Sequence, residues 1–160
     1  MRTAILVALL SSTVLAQSSP NLGFRGQQRR PSHAAVTAGP DDLGVKSGTK
    51  ATLFVDVAPN PNIHVYAPGA KDYIPITVKV DAQPGVKVGK LNYPKSDIMT
   101  FADEKVPVFQ KPFRLAQEVT VLGKPGTSVP IKATVDFQAC DDKVCYPPES
   151  QQVAWTVTVK

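Results

Sequence analysis

From Thr49 onward, hydrophobic and polar residues alternate in short runs separated by turns. Leu53, Val55 and Val57 alternate with Thr52, Phe54 and Asp56, the period-two pattern of a strand with one buried face. Pro59-Asn-Pro-Asn62 breaks the run, and Ile63-His-Val-Tyr66 forms a second, shorter one. Ile74, Ile76, Val78 and Val80 alternate with Pro75, Thr77 and Lys79; the proline, which has no N–H to donate, predicts an edge strand or a strand start. Further strands are predicted at Val86 to Leu91, Val106 to Phe109 and Phe113 to Val121. Val129, Ile131, Ala133, Val135 and Phe137 share one face of another, and Val153, Trp155, Val157 and Val159 one face of the last. Pro68-Gly69, Pro84-Gly85 and Gly123 to Gly126 supply turn signals between them.

No window carries a helical repeat, and the 15 prolines and 10 glycines punctuate the strands. About seven to nine short strands of this kind predict an all-β, immunoglobulin-like β-sandwich, with a barrel as the alternative. Residues 17–46, rich in Ser, Pro, Gly, Gln and Arg, lack the alternation and read as a flexible leader. The domain is then expected over residues 47–160.

Ahead of the leader, Arg2 provides a positive start, Ala4 to Leu10 begin an apolar stretch, and Val14-Leu15-Ala16 offers a cleavage site before Gln17. Residues 1–16 thus read as a signal peptide, too short an apolar run for a spanning helix. No cysteine follows it that could take a lipid. The expectation is a periplasmic or secreted protein with no membrane insertion after cleavage. The formal charge is +5, but Lys and Asp/Glu are interspersed. The one basic run, Arg25 to Arg30, has no aromatic platform or periodic basic face beside it, so no nucleic-acid partner is expected.

Candidate chemistry rests on Cys140 and Cys145, in Phe137-Gln-Ala-Cys-Asp-Asp-Lys-Val-Cys-Tyr-Pro-Pro148. In an oxidising compartment they are expected to form a disulfide. It is either a structural staple or a reversible redox centre. Closing so short a loop stabilises by only about 2 kcal/mol, against roughly 4.7 for a loop of about 100 residues. A staple chosen for stability would join distant strands. Exposed local pairs suit exchange, which needs access for in-line attack. Lys143 favours a thiolate, and Asp141 and Asp142 oppose it. The spacing is not Cys-x-x-Cys, and no βαβ pattern surrounds it. His33 and His64 are the only histidines that could join the cysteines, and His33 lies in the leader; neither a metal site nor protease chemistry is expected from that set. No cofactor is predicted. His64 reads as an ordinary strand residue.

Phe137-Gln-Ala-Cys140, Cys145-Tyr-Pro-Pro-Glu149 and the final alternating strand resemble the N-terminal periplasmic domain family of the thiol:disulfide interchange protein DsbD. Ile63-His-Val-Tyr66 is similar to the family's tyrosine-rich early strand, and Asp103-Glu104 to its acidic stretch. The resemblance spans Asp42 to Lys160. It implies an immunoglobulin-like fold and electron transfer between thioredoxin-like partners: a thioredoxin-like donor and a periplasmic oxidoreductase as acceptor. It implies that Cys145 forms the mixed disulfide and Cys140 resolves it, and that a cap loop with an acidic pair and a phenylalanine shields them. Lys105 stands where that phenylalanine is expected, leaving Phe101 or Phe109 to substitute. The Cys-x4-Cys spacing is one residue shorter than in the best-known members. Full DsbD also carries a transmembrane electron conduit and a thioredoxin-like domain, which this chain is expected to borrow.

The expected function is therefore an exported thiol–disulfide relay, a component of protein-disulfide reductase type. Tyr66, Asp103, Glu104, Phe109 and Tyr146 are the expected supporting or cap residues. The alternative is a non-catalytic binding module with a fixed disulfide.

Overall fold

The computed structural model describes residues 31–40, 43–101 and 103–160. Twelve strands are assigned among them: β1 (Ala34–Ala38), β2 (Leu43–Val45), β3 (Lys50–Pro59), β4 (His64–Tyr66), β5 (Thr77–Val80), β6 (Val86–Asn92), β7 (Asp97–Phe101), β8 (Glu104–Phe109), β9 (Phe113–Val121), β10 (Ser128–Phe137), β11 (Ala139–Cys140) and β12 (Glu149–Val159). No helix occurs among the described residues.

The strands form three four-stranded sheets, in the orders β1-β3-β9-β6, β2-β12-β10-β5 and β11-β4-β8-β7. Alternation dictates the first two. Leu53 and Val55 of β3 and Leu115 and Val119 of β9 turn inward from one sheet; Ile131 and Val135 of β10 and Trp155 and Val157 of β12 turn inward from the other. All eight belong to one buried cluster, the shared core of two facing sheets. The buried Trp155 indole satisfies its N–H across the sandwich, donating to the Phe54 carbonyl at 3.0 Å. This is an immunoglobulin-like β-sandwich.

The third sheet positions the cysteines. Val65 of β4 and Ala139 of β11 are paired neighbours and belong to the main core. Residues one step along point to the opposite face. There Tyr66, Val106, Val108 and Cys140 form a second, smaller cluster, with Tyr73, Met99 and Phe101 packed against it.

Several elements differ from the sequence expectation. β1 and β2 lie inside the segment read as a leader: β1 pairs along its length with β3, and β2 runs parallel to the end of β12. Their Ala- and Gly-containing sequences have weak intrinsic strand preference, and pairing with longer strands supplies the order. β5 begins at Thr77, past Pro75, and is the edge of its sheet, as the proline anticipates. β7 and β11 were not anticipated. Residues 1–30, with the expected signal peptide and the basic run, lie outside the described residues.

Candidate functional site

The two cysteines close a small hairpin. Cys140 ends β11 and faces Cys145 as an antiparallel bridge. Hydrogen bonds flank the pair on both sides, Tyr146 N–H to the Ala139 carbonyl at 2.9 Å and Asp141 N–H to the Val144 carbonyl at 3.0 Å. Cys140 and Cys145 thus occupy a non-hydrogen-bonded site, where opposed Cα atoms approach most closely; theirs are 4.1 Å apart and the sulfurs are bonded. The carboxylate of Asp141 ties down the turn, Oδ1 accepting from the Lys143 and Val144 amides at 2.7 and 2.8 Å. Its Oδ2 accepts from the Tyr146 hydroxyl at 2.7 Å. The Tyr146 bond, with the two amides behind it, pulls the Asp141 pKa down to about 2. The same contact raises the Tyr146 phenol.

The two sulfurs have different surroundings. Cys140 is 1% exposed, whereas Cys145 is exposed. The Tyr66 hydroxyl lies 3.5 Å from the Cys145 sulfur, and its ring stacks on Tyr73 at 4.1 Å between centroids. Burial, reinforced by Tyr73, pushes the Tyr66 pKa up to about 12, so the group stays a neutral phenol able to donate a hydrogen bond to a sulfur anion.

His64, read from sequence as an ordinary strand residue, is part of this site. It pairs directly with Cys140 across β4 and β11, which places both side chains on the same face. The residue is 2% exposed. Tyr66 meets its ring edge-on at 5.5 Å, and Phe101 covers it at 5.3 Å. Its Nε2 has no hydrogen-bond partner among the described residues. Desolvation lowers its pKa, against a smaller upward pull from Asp142 and Asp141. Only the β4–β11 register, which sequence alone does not reveal, exposes this role.

The expected cap residues separate into two groups. β7 and β8 form a hairpin whose tip pairs Phe101 with Glu104, with Asp103 in the turn at φ 68°. Glu104 alternates with Val106 and Val108, so it lies on the cysteine face of the sheet but is exposed at its end. The phenylalanine over the site is Phe101. Phe109 is not: parity turns it into the main core, where it stacks on Phe113 at 4.0 Å. Tyr146 joins the hairpin through Asp141, and its ring stacks on His33 at 3.7 Å. His33 Nδ1 in turn meets Glu149 Oε1 at 2.5 Å. A residue assigned to the leader therefore braces the hairpin, a contact made across 116 positions of sequence.

Residues 36–156 match the sequence model of the family described as thiol:disulfide interchange protein DsbD, N-terminal. The chain belongs to the DsbD N-terminal domain family. A solved DsbD N-terminal domain from Neisseria meningitidis, in the reduced form, is 16% identical over 70% of this chain and 82% of that one, with a TM-score of 0.49. The N-terminal periplasmic domain of ScsB from Proteus mirabilis is 12% identical over 78% of this chain, with a TM-score of 0.59. The DsbD-like chain spans 47% of that ScsB structure, and at this identity the likeness is one of fold. No curated protein matches by sequence. A DsbD N-terminal family domain with a bonded cysteine pair fits thiol–disulfide exchange.

Proposed function

We propose that this chain is an exported electron-relay domain that exchanges its Cys140–Cys145 disulfide with thioredoxin-like partners. Cleavage after Ala16 and residence in the periplasm, the compartment named for the ScsB domain, are part of the reading. The observation that carries it is the asymmetry of the pair: an exposed Cys145 beside a Cys140 that is 1% exposed. In-line attack needs an open path to one sulfur, and Cys145 offers it. When the domain is oxidised, a partner thiolate bonds to Cys145 and the electron pair of the broken disulfide passes to Cys140. A second partner thiolate completes the reduction. When the reduced domain donates, Cys145 thiolate attacks the acceptor's disulfide. Cys140 then attacks Cys145, re-forming the internal disulfide and releasing the acceptor as a dithiol. The hydrogen bonds that flank the pair are made by backbone groups and not by the sulfurs, which suits a reversible pair better than a staple.

Trapping tests the assignment. Cys140→Ser should accumulate a mixed disulfide with a thioredoxin-like protein, and Cys145→Ser should not. The reverse pattern would exchange the roles of the sulfurs. A reduction potential below about −300 mV, the range of structural disulfides, together with no exchange, would favour the binding-module reading.

A further inference from the structure

The exchange reading leaves one group at the site without a task. Buried polar atoms are nearly always hydrogen-bonded, so an orphan asks for an explanation. His64 Nε2 is such an orphan, and its residue sits directly across from the buried sulfur, Cys140. Resting on the proposed roles of the two cysteines, we propose that His64 is the proton acceptor for Cys140 in the resolving step.

The step needs one. A thiolate is the nucleophile in disulfide exchange, and an unassisted thiol is mostly protonated near neutral pH. Cys140 lies among Tyr66, Val106 and Val108, where a free anion is poorly solvated. As Cys140 attacks Cys145, its S–H proton passes to Nε2 and a new Cys140–Cys145 bond forms. The bond between Cys145 and the partner sulfur breaks, and its electron pair leaves on the partner as thiolate. The imidazolium then releases its proton to water or to that departing sulfur. In the opposite direction, imidazolium protonates Cys140 as the disulfide opens.

The surroundings suit a base. Tyr66 on β4 and Phe101 on β7 enclose the imidazole, and Cys140 on β11 lies opposite it. Asp141 and Asp142 of the hairpin are the charged groups whose fields reach it. Desolvation keeps the ring neutral and able to accept at neutral pH, and the two carboxylates stabilise the imidazolium that forms transiently.

The test uses the reduced full chain and dithiobis-nitrobenzoate, a small aromatic disulfide that needs no protein partner. Attack by Cys145 releases one coloured thiolate in a first phase, and resolution by Cys140 releases another in a second. In the wild type the second phase should be flat around neutral pH and fall only once the pH drops below the ordinary imidazole range, because desolvation lowers the His64 pKa. His64→Gln and His64→Phe should leave the first phase unchanged and slow the second about thirty-fold at pH 7. The step then draws only on the thiolate fraction, roughly one in thirty for a thiol of pKa about 8.5, and should keep rising to that pH. A second phase unaltered in folded variants overturns the proposal. So does a wild-type second phase that climbs to about pH 8.5 without a plateau, a result that holds even if neither variant folds. Loss of exchange with a thioredoxin-like protein, with this pH signature intact, would instead count against the relay reading alone.

Discussion

Asp141 shows how one side chain can set the shape of a disulfide-closed hairpin. Its carboxylate accepts from the Tyr146 hydroxyl and from the Lys143 and Val144 amides, and all three contacts favour the charged form. Its pKa is held down to about 2, below the ordinary 3.8. A carboxylate with a depressed folded pKa contributes its stabilisation fully above the unfolded value and loses it as pH falls through the folded one. The hairpin should thus be tightest above about pH 4 and loosen between about pH 4 and 2. In an amide NMR titration, Lys143 and Val144 should shift together with a midpoint near 2, and Asp141→Asn should abolish that step. A midpoint at the ordinary aspartate value would show that the three bonds do not hold in solution. At this scale the sequence was legible only in part. The cysteines announce themselves by type and local pattern, and Tyr66 through the family resemblance. His64 and His33 do not, because their partners, Cys140 and Glu149, are brought to them by strand register and by a contact across the whole chain.

Among the strands, β6 and β9 depart from regular pairing in an informative way. Their register shifts between Val88 and Leu91, and Gln117 lies opposite that irregularity. Gln117 is 1% exposed at a position where β9 otherwise turns Leu115, Val119 and Val121 inward. Its amide donates to the carbonyls of Gly89 and Glu118 at 3.0 and 2.9 Å, tying the two strands together at the irregularity. Gly89 is required there, since an added Cβ would meet the Glu118 Cβ at 2.9 Å. Gln117→Leu restores the apolar alternation but strips both carbonyls of their donor. It should destabilise the domain by about 1–3 kcal/mol, read as a lower urea midpoint at unchanged slope. An unchanged midpoint would mean that water serves the carbonyls equally well. The same contrast explains which strands could be read in advance. β3, β9, β10 and β12 each carry four buried residues in strict alternation. β1, β2 and β11 are short and gain their order from pairing, so no periodicity marks them. β7, with a mostly exposed sequence between Asp97 and Phe101, pairs with β8 alone.

Across the whole molecule, the main apolar core and the buried cysteine lie on opposite faces of the third sheet. The core draws mainly on β3, β9, β10 and β12, with Val65, Phe109 and Ala139 from the third sheet, whereas Cys140 belongs to the smaller cluster on that sheet's other face. Reduction removes a cross-link spanning a separation of five residues, and its loop-entropy contribution is only about 2 kcal/mol. The sandwich contacts do not involve the sulfurs, and the hydrogen bonds flanking the pair are made by backbone groups. A carrier that cycles between dithiol and disulfide needs this property, because a domain that melted on reduction could not present Cys145 to its next partner. Urea denaturation with and without reductant should therefore give two cooperative transitions of equal slope. With a slope of about 2 kcal/mol per molar, the reduced midpoint should lie roughly 1 M lower. If reduction instead abolished the cooperative transition, the disulfide would be a staple after all, and the separation of core from site would have no functional meaning. If the shift is as small as the loop length requires, the domain stays folded in both oxidation states of its cysteines. On the proposed exchange function, access to Cys145 then governs the rate of exchange, and the partners' reduction potentials govern its direction.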